Sequence, residues 1–298
     1  MEKIKLIVLD VDNTLFDWVT YYINSMESLF EAVHSITKIP ITVLKTEAQE
    51  VFATNESTEY PFVIQELPSV VAYYQFDIGK MLEEAVAPAR EAFLKTSKKY
   101  LKLYPGVKRT LSEIRQKYVG VPLVALTDAP RYIAMWKLNK LGILEFFDAV
   151  YGLGDPLIPI CSTTKKIKIS QDILTKHLQR HQFGFKGKVR VLPAEYEKPG
   201  TRGFKTILMD YNLDENLEDR KGVVFVGDNL KKDSLLGQKL GVRTAWAKYG
   251  VVDDAQLMDR LNSFSPQKNI AKNISTTVSA DIKVEATFEK FSDLLDFL

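Results

Sequence analysis

Ile4-Lys-Leu-Ile-Val-Leu-Asp10-Val-Asp12-Asn-Thr14-Leu-Phe16 decides the fold. Residues 4–9 are apolar and β-branched with almost no alternation, the texture of a strand buried on both faces of a parallel sheet. Two carboxylates follow at once. Charge just past a buried strand is costly unless something uses it, and in an open α/β sheet the carboxyl ends of the strands are where ligands bind. The competing reading is local: Asp12 and Asn13 form a turn or cap the next helix.

The same strand texture recurs at Val121–Leu126, Asp148–Tyr151, Val223–Val226 and Val242–Ala247. Helical periodicity marks Val107–Lys117, Arg131–Leu141 and Leu230–Leu240 between them. This alternation predicts a doubly wound α/β parallel sheet. From Asp17 to about Leu103 it is broken by helical stretches alone, at Trp18–Ser35, Val43–Ala53, Phe62–Tyr74 and Ile78–Leu101. Met26, Leu29, Phe30 and Val33 recur there at threes and fours, a buried helical stripe. We therefore expect an α/β core made of residues 1–16 and 104–298, with a helical cap domain of residues 17–103 inserted after the first strand. Residues 152–197 form a second insert, with a predicted helix at Ser170–Gln182 and a strand at Lys188–Leu192. Within it, 161–197 carry eight Lys or Arg against three acidic residues, the pattern of a solvated face. After a polar stretch at Ser265–Ser279, a strand at Ile282–Ala286 and a helix at Phe288–Leu298 are expected to close the chain.

Composition narrows the function. Of 298 residues, 40 are Lys or Arg and 38 are Asp or Glu, a net charge of +2. A chain so balanced has no global attraction for nucleic acid or an acidic membrane. The single Cys161 leaves no intrachain disulfide and fits a reducing compartment. No apolar run approaches the ~20 residues of a membrane span, and the apolar start ends at Asp10, too early for a signal peptide. A cytoplasmic-type chain is expected.

Two further segments carry polar groups at strand ends, and a third lies between them. Thr127-Asp128 ends the second strand, where the hydroxyl and the turn N–H groups suit an anionic oxygen, or else cap a helix. Gly227-Asp228-Asn229 ends a strongly apolar strand, with Asp233 beyond it, and its acidic oxygens suit a hard cation such as Mg²⁺. Lys198-Pro199-Gly200 lies between these; its lysine either offsets charge near a bound phosphate or is an ordinary solvated lysine. His34, His177 and His181 lack metal-ligand spacing, and no Walker loop, dinucleotide fingerprint or serine elbow is present.

Taken together and in this order, Asp10-Val-Asp12-Asn-Thr14-Leu, Thr127, Lys198-Pro199 and Gly227-Asp228 with Asp233 resemble the haloacid dehalogenase (HAD) superfamily, in its phosphatase branch. The helical insertion resembles that family's cap of the first type. The resemblance implies a Mg²⁺-dependent phosphohydrolase acting on a small phosphomonoester through an aspartyl-phosphate. Asp10 would be the nucleophile and Asp12 the general acid and base. Thr127, Asp128 and Lys198 would hold the phosphate. The metal would sit on the Asp10 carboxylate, the Asp12 backbone carbonyl and Asp228, supported by Asn229 and Asp233. The dehalogenases of the superfamily do not keep the second aspartate, so Asp12 disfavours dehalogenation. A phosphomutase, or a non-catalytic binding protein on the same fold, are the alternatives. Two departures stand out: 71 residues separate Thr127 from Lys198, and Gly200 stands where a second proline is common. Lys165, Lys166 or Lys205 are the substitutes should Lys198 be misplaced. Tyr21, Tyr22, Tyr60 and Phe62 are candidates for the substrate-facing surface of the cap.

Overall fold

A computed structural model describes residues 3–156, 160–162, 165–167, 183–266 and 282–298. The expected helix at Ser170–Gln182 and most of the polar stretch after Ser265 lie outside the described residues.

The main sheet has seven parallel strands in the order β6-β3-β2-β1-β7-β8-β9. They are β1 (Leu6–Leu9), β2 (Leu123–Pro130), β3 (Ala149–Leu153), β6 (Lys188–Leu192), β7 (Val223–Gly227), β8 (Arg243–Ala247) and β9 (Ala286–Phe288). A two-stranded antiparallel ribbon, β4 (Ile160–Ser162) with β5 (Lys165–Ile167), lies apart from it. β1 is central, paired with β2 on one side and β7 on the other. The chain fills one half of the sheet, crosses back and fills the other, so the switch in direction falls at β1 and β7. Crevices open beyond the carboxyl ends of strands at such a point.

Every β1 residue is buried, because helices cover both faces of the sheet. Ile7 and Leu9 join one core cluster with the helical insertion, whereas Leu6 and Val8 join the other with Phe204, Ile207 and Leu236. That is why β1 reads as a continuous apolar run rather than an alternating one.

The insertion begins with α1 (Trp18–Thr37), capped by the Asp17 side chain, which accepts from the Thr20 N–H at 2.9 Å. α2 (Ile41–Thr54) follows, then short turns and α3 (Ala87–Tyr100), which lies along α1. The helix expected over Phe62–Tyr74 is two pieces, Val63–Glu66 and Pro68–Tyr73. Pro68 has no N–H to continue a helix and suits a first position. The chain leaves and returns side by side: Phe16 bridges Leu103, and the Tyr104 N–H donates to the Leu15 carbonyl at 3.0 Å. α4 (Val107–Lys117) and α5 (Arg131–Lys140) flank β2. α6 (Thr201–Asp210), α7 (Leu235–Leu240) and α8 (Ala255–Asn262) follow.

Three segments differ from expectation. β2 runs on to Pro130, past the expected Leu126, with a register irregularity after Leu126. The last strand lies at Ala286–Phe288, across the junction between the expected strand and the expected helix, and only Phe291–Phe297 is helical. α8 packs on α1 although it follows the core strands in sequence. Arg260 bonds Glu27 at 2.6 Å, Gln49 donates to the Asn262 carbonyl at 2.6 Å, and Phe264 sits between Tyr22 and Phe30. β6 lies where expected, at the edge, and its Lys188 and Arg190 pair with Asp210 of α6. No helix among the described residues is long and apolar enough to cross a membrane.

Candidate active site

Four loops meet at the carboxyl ends of β1, β2 and β7 around a chamber of about 300 Å³ lined by Asp10, Asp12, Thr127, Asp128, Lys198, Asp228, Asn229 and Asp233. The structure thus brings every sequence-predicted site residue to one place. Lys198 lines the chamber, as does Lys232; Lys205 lies on α6, outside its lining.

Asp10 continues β1, its N–H bonded to the Val226 carbonyl at 2.9 Å. One carboxylate oxygen accepts from Lys198 Nζ at 2.5 Å and the other from Thr14 Oγ1 at 3.0 Å. The next turn is tight. Asn13 adopts φ 56°, a left-handed conformation asparagine tolerates, and its Oδ1 accepts from the Trp18 N–H. Gly250 packs so closely here that a Cβ would lie 1.8 Å from the Asn13 carbonyl oxygen.

Lys198 is 5% exposed and bridges Asp10 to Asp233, at 2.7 Å from the latter. Burial alone would lower its pKa, but Asp10, Asp233 and Asp128 outweigh that and keep it charged. The long excursion from Thr127 to Lys198 is closed by Asp128, whose carboxylate accepts from the Lys198 N–H at 3.0 Å and from Lys232 Nζ at 2.7 Å. That leaves the Asp128 side chain a holder of lysines, with only its backbone N–H to offer an anion. Asn229 caps the turn after β7, accepting from the Lys231 and Lys232 N–H groups. Asp233 accepts from the Asn229 N–H at 3.1 Å. Gly227 is required because a Cβ there would lie 2.3 Å from Asp233 Cγ.

Asp10, Asp228 and Asp233 are buried, and each offers an oxygen within 4.8 Å of the others. Among the described residues, no other side chain donates to the Asp228 carboxylate, which is 4% exposed. Burial, then Asp10 and Asp233, push its pKa well up. Asp10 is pushed up to about 7 by burial, with Lys198 opposing and Asp233 adding. Three clustered acids with a single lysine are short of positive charge, and a hard divalent cation with oxygen ligands fits that deficit.

Asp12 projects to the other end of the chamber. Lys137 Nζ of α5 donates to one of its oxygens at 2.5 Å, and Thr127 Oγ1 reaches the other at 3.5 Å. Lys137 is fully buried and also bonds both oxygens of Glu59, at 3.0 and 3.1 Å. Trp18 Nε1 holds Glu59 at 2.9 Å. Glu59 belongs to the insertion, so one buried lysine ties the Asp12 carboxylate to the helices above it. Lys137, Glu59, Thr14 and Lys232 were not among the expected site residues. Lys137 carried no clear signal in the sequence, because apolar residues surround it on every side of α5 and mark no single buried stripe.

No curated protein matches this chain in sequence. Among solved structures, a HAD-hydrolase of Bacillus subtilis bound to magnesium superposes with a TM-score of 0.51 at 15% identity, over 100% of this chain and 99% of that one. A 2-haloacid dehalogenase of Pseudomonas syringae gives 0.57 at 17% identity, covering 98% and 97%. Such similarity speaks to the fold. The family model for haloacid dehalogenase-like hydrolases matches residues 4–159, and a HAD-hydrolase-like model matches 195–277. With more than half its length matched by the first of these, the chain belongs to the haloacid dehalogenase superfamily of hydrolases.

Proposed function

We propose that this protein is a Mg²⁺-dependent phosphohydrolase that cleaves a small phosphomonoester through an aspartyl-phosphate on Asp10. One observation carries the reading: a second carboxylate, Asp12, stands in the chamber of Asp10, oriented by Lys137 and Thr127. A carboxylate nucleophile alone could displace halide. An alkoxide leaving from phosphorus needs a proton, and Asp12 is placed to supply one.

In this reading an Asp10 oxygen attacks phosphorus in line, and the bond from phosphorus to the ester oxygen breaks. Protonated Asp12 gives its proton to that oxygen as the alcohol leaves. Asp12, now ionised, takes a proton from water, whose oxygen attacks the aspartyl-phosphate and frees phosphate and Asp10. Thr127 Oγ1 and the turn N–H groups hold phosphoryl oxygens, while Lys198 offsets charge on the reacting carboxylate. Asp10, Asp228 and the Asp12 carbonyl would hold Mg²⁺, with Asp233 keeping Lys198 in place. The ion supplies the charge cancellation that lets a dianion approach carboxylates. The Bacillus subtilis HAD-hydrolase of the same fold is bound to magnesium, which supports this choice of ion. The helices of residues 17–103 act as a cap that excludes macromolecular substrates, including nucleic acid.

Asp12→Ala is the test. Both half-reactions should slow, the first most for alkyl phosphates and least for nitrophenyl phosphate, whose leaving group needs no proton. A burst of nitrophenolate should therefore precede slow turnover. Equal first-step losses for the two classes would remove Asp12 as proton donor, and isomerised product in place of free phosphate would make the enzyme a mutase.

A further inference from the structure

Beside the chamber lies a second cavity, of about 450 Å³, between the insertion and α5. Tyr21, Tyr22, Tyr60 and Phe62 line it from the insertion, and Trp136 lines it from α5. Glu59, Tyr60, Pro130 and Pro156 wall both spaces. Glu59 is also the residue that Lys137 ties to Asp12. The end of the chamber where the ester oxygen would be protonated is therefore the end that adjoins this cavity.

We infer that the cavity receives the organic group of the substrate, and that this group is apolar: the substrate is an aryl or medium-chain alkyl phosphomonoester, not a sugar phosphate. The inference rests on the phosphohydrolase reading above and narrows it. Several polar groups of the walls are already engaged within the protein, with Gln65 and Arg90 also bordering the space. The Tyr22 hydroxyl donates to the Thr58 carbonyl and the Tyr60 hydroxyl to Glu66 at 2.9 Å. Glu59 is taken by Lys137 and Trp18, and Asp155 by Arg131. A polyhydroxylated occupant would surrender its hydrogen bonds to water and find these donors and acceptors already committed, leaving buried groups unpaired. An aromatic or alkyl group loses nothing of the kind and covers aromatic walls. Pockets of this size ordinarily enclose small organic ligands.

The experiment compares kcat/KM, with Mg²⁺ present, for methyl through octyl phosphate, 2-naphthyl phosphate, glucose 6-phosphate and acetyl phosphate. In parallel, binding of 2-naphthol is measured by calorimetry, which needs no turnover. Ile133→Trp and Leu94→Trp each place bulk in the cavity from a different element, away from the reacting groups. We expect kcat/KM to climb with chain length, by up to about fourfold per methylene, and glucose 6-phosphate to be the poorest ester. Each tryptophan variant should raise KM for 2-naphthyl phosphate by about tenfold or more and abolish 2-naphthol binding, with acetyl phosphate hydrolysis kept within about twofold. Turnover of acetyl phosphate with a flat chain-length series, or with a sugar phosphate preferred, would overturn the substrate class and leave the phosphohydrolase standing. Turnover of no phosphate compound, with 2-naphthol still bound by wild type and lost in both variants, would overturn the phosphohydrolase and keep the apolar site. Failure of 2-naphthol to bind, or indifference of its binding to both substitutions, would overturn the site itself.

Discussion

Lys198 and Lys137 are both buried, and each sits between two carboxylates, yet they close opposite ends of the chamber in different ways. Lys198 joins Asp10 to Asp233, groups that all hang from the ends of core strands. Lys137 joins Asp12, on a core loop, to Glu59, on the insertion. The first pair holds Asp10 within the core layer. The second spans two layers, so the placement of Asp12 depends on where the helices sit. A buried charge with one partner removed is costly, and each lysine is therefore a point where its end of the chamber can be broken separately.

The largest effect is expected at the core end. Asp10→Asn keeps the shape and removes the nucleophile, so kcat should fall by about four orders of magnitude or more with circular dichroism unchanged. Retention of a tenth of the activity would exclude Asp10 from that role.

Replacing the lysines one at a time sharpens the contrast. Lys198→Met should slow alkyl and nitrophenyl phosphates alike, because charge on the nucleophile serves both. Lys137→Met should slow alkyl phosphates by about ten- to a hundredfold more than nitrophenyl phosphate, because only the former needs Asp12 as a proton donor. Lys137→Met should also cost about 3–5 kcal/mol of stability by leaving Glu59 and Asp12 unpaired. Adding Glu59→Leu should return part of that stability without restoring alkyl phosphate turnover. A lysine with only a packing role would show the stability change without the leaving-group dependence.

A smaller effect concerns pH and metal. In the metal-free protein Asp10 is pushed up to about 7 from 3.8, and Asp228 is raised with it, so the folded state holds protons that the unfolded chain has released. Stability from this source is present at low pH and is lost as pH rises through about 7. Mg²⁺ must displace those protons. Its affinity should therefore tighten between pH 6 and pH 8, by up to about tenfold per pH unit for each proton released. Calorimetry in buffers of different ionisation enthalpy measures both quantities. A pH-independent affinity would place the metal elsewhere.

The smallest effect is expected at the staple between α8 and α1. Arg260 and Glu27 are partly exposed, so Arg260→Ala should cost no more than about 1 kcal/mol in urea unfolding. Turnover of acetyl phosphate should not change. A large loss there would mean that this ion pair, rather than the packing of Phe264, holds α8 to the insertion.

How much of this was legible before the structure follows the same division. The end built on Asp10, Thr127 and Asp228 could be read from the chain because each lies at or near the end of an apolar strand, and parallel strands bring their carboxyl ends together whatever lies between them. Lys198, past the exposed edge strand β6, was read from its place in the motif order. The 71-residue gap before Lys198 did no harm: Asp128 takes hold of the Lys198 backbone directly. The last strand was misplaced by a few residues because an edge strand of three residues carries too short a pattern to set its own bounds.

The insertion end was not legible in that way. Helical periodicity marked the helices of residues 17–103 and named Tyr21, Tyr22, Tyr60 and Phe62, but it assigns residues to a stripe without saying what the stripe meets. Glu59 lies in a loop between short helices, where neither period nor neighbours single it out. Lys137 lies on a helix with no one-sided apolar stripe to mark it, and what neutralises it is a carboxylate 78 residues away and another 125 away. By itself the sequence determined the sheet, the place of the chamber and the groups at the strand ends, because hydrophobic pattern and strand polarity are local properties of the chain. Only the tertiary structure decided which buried charges pair, that α8 belongs with α1, and that four aromatic side chains line one cavity beside Asp12. Those are contacts between distant segments, and they depend on how the layers settle against each other, which no local pattern records.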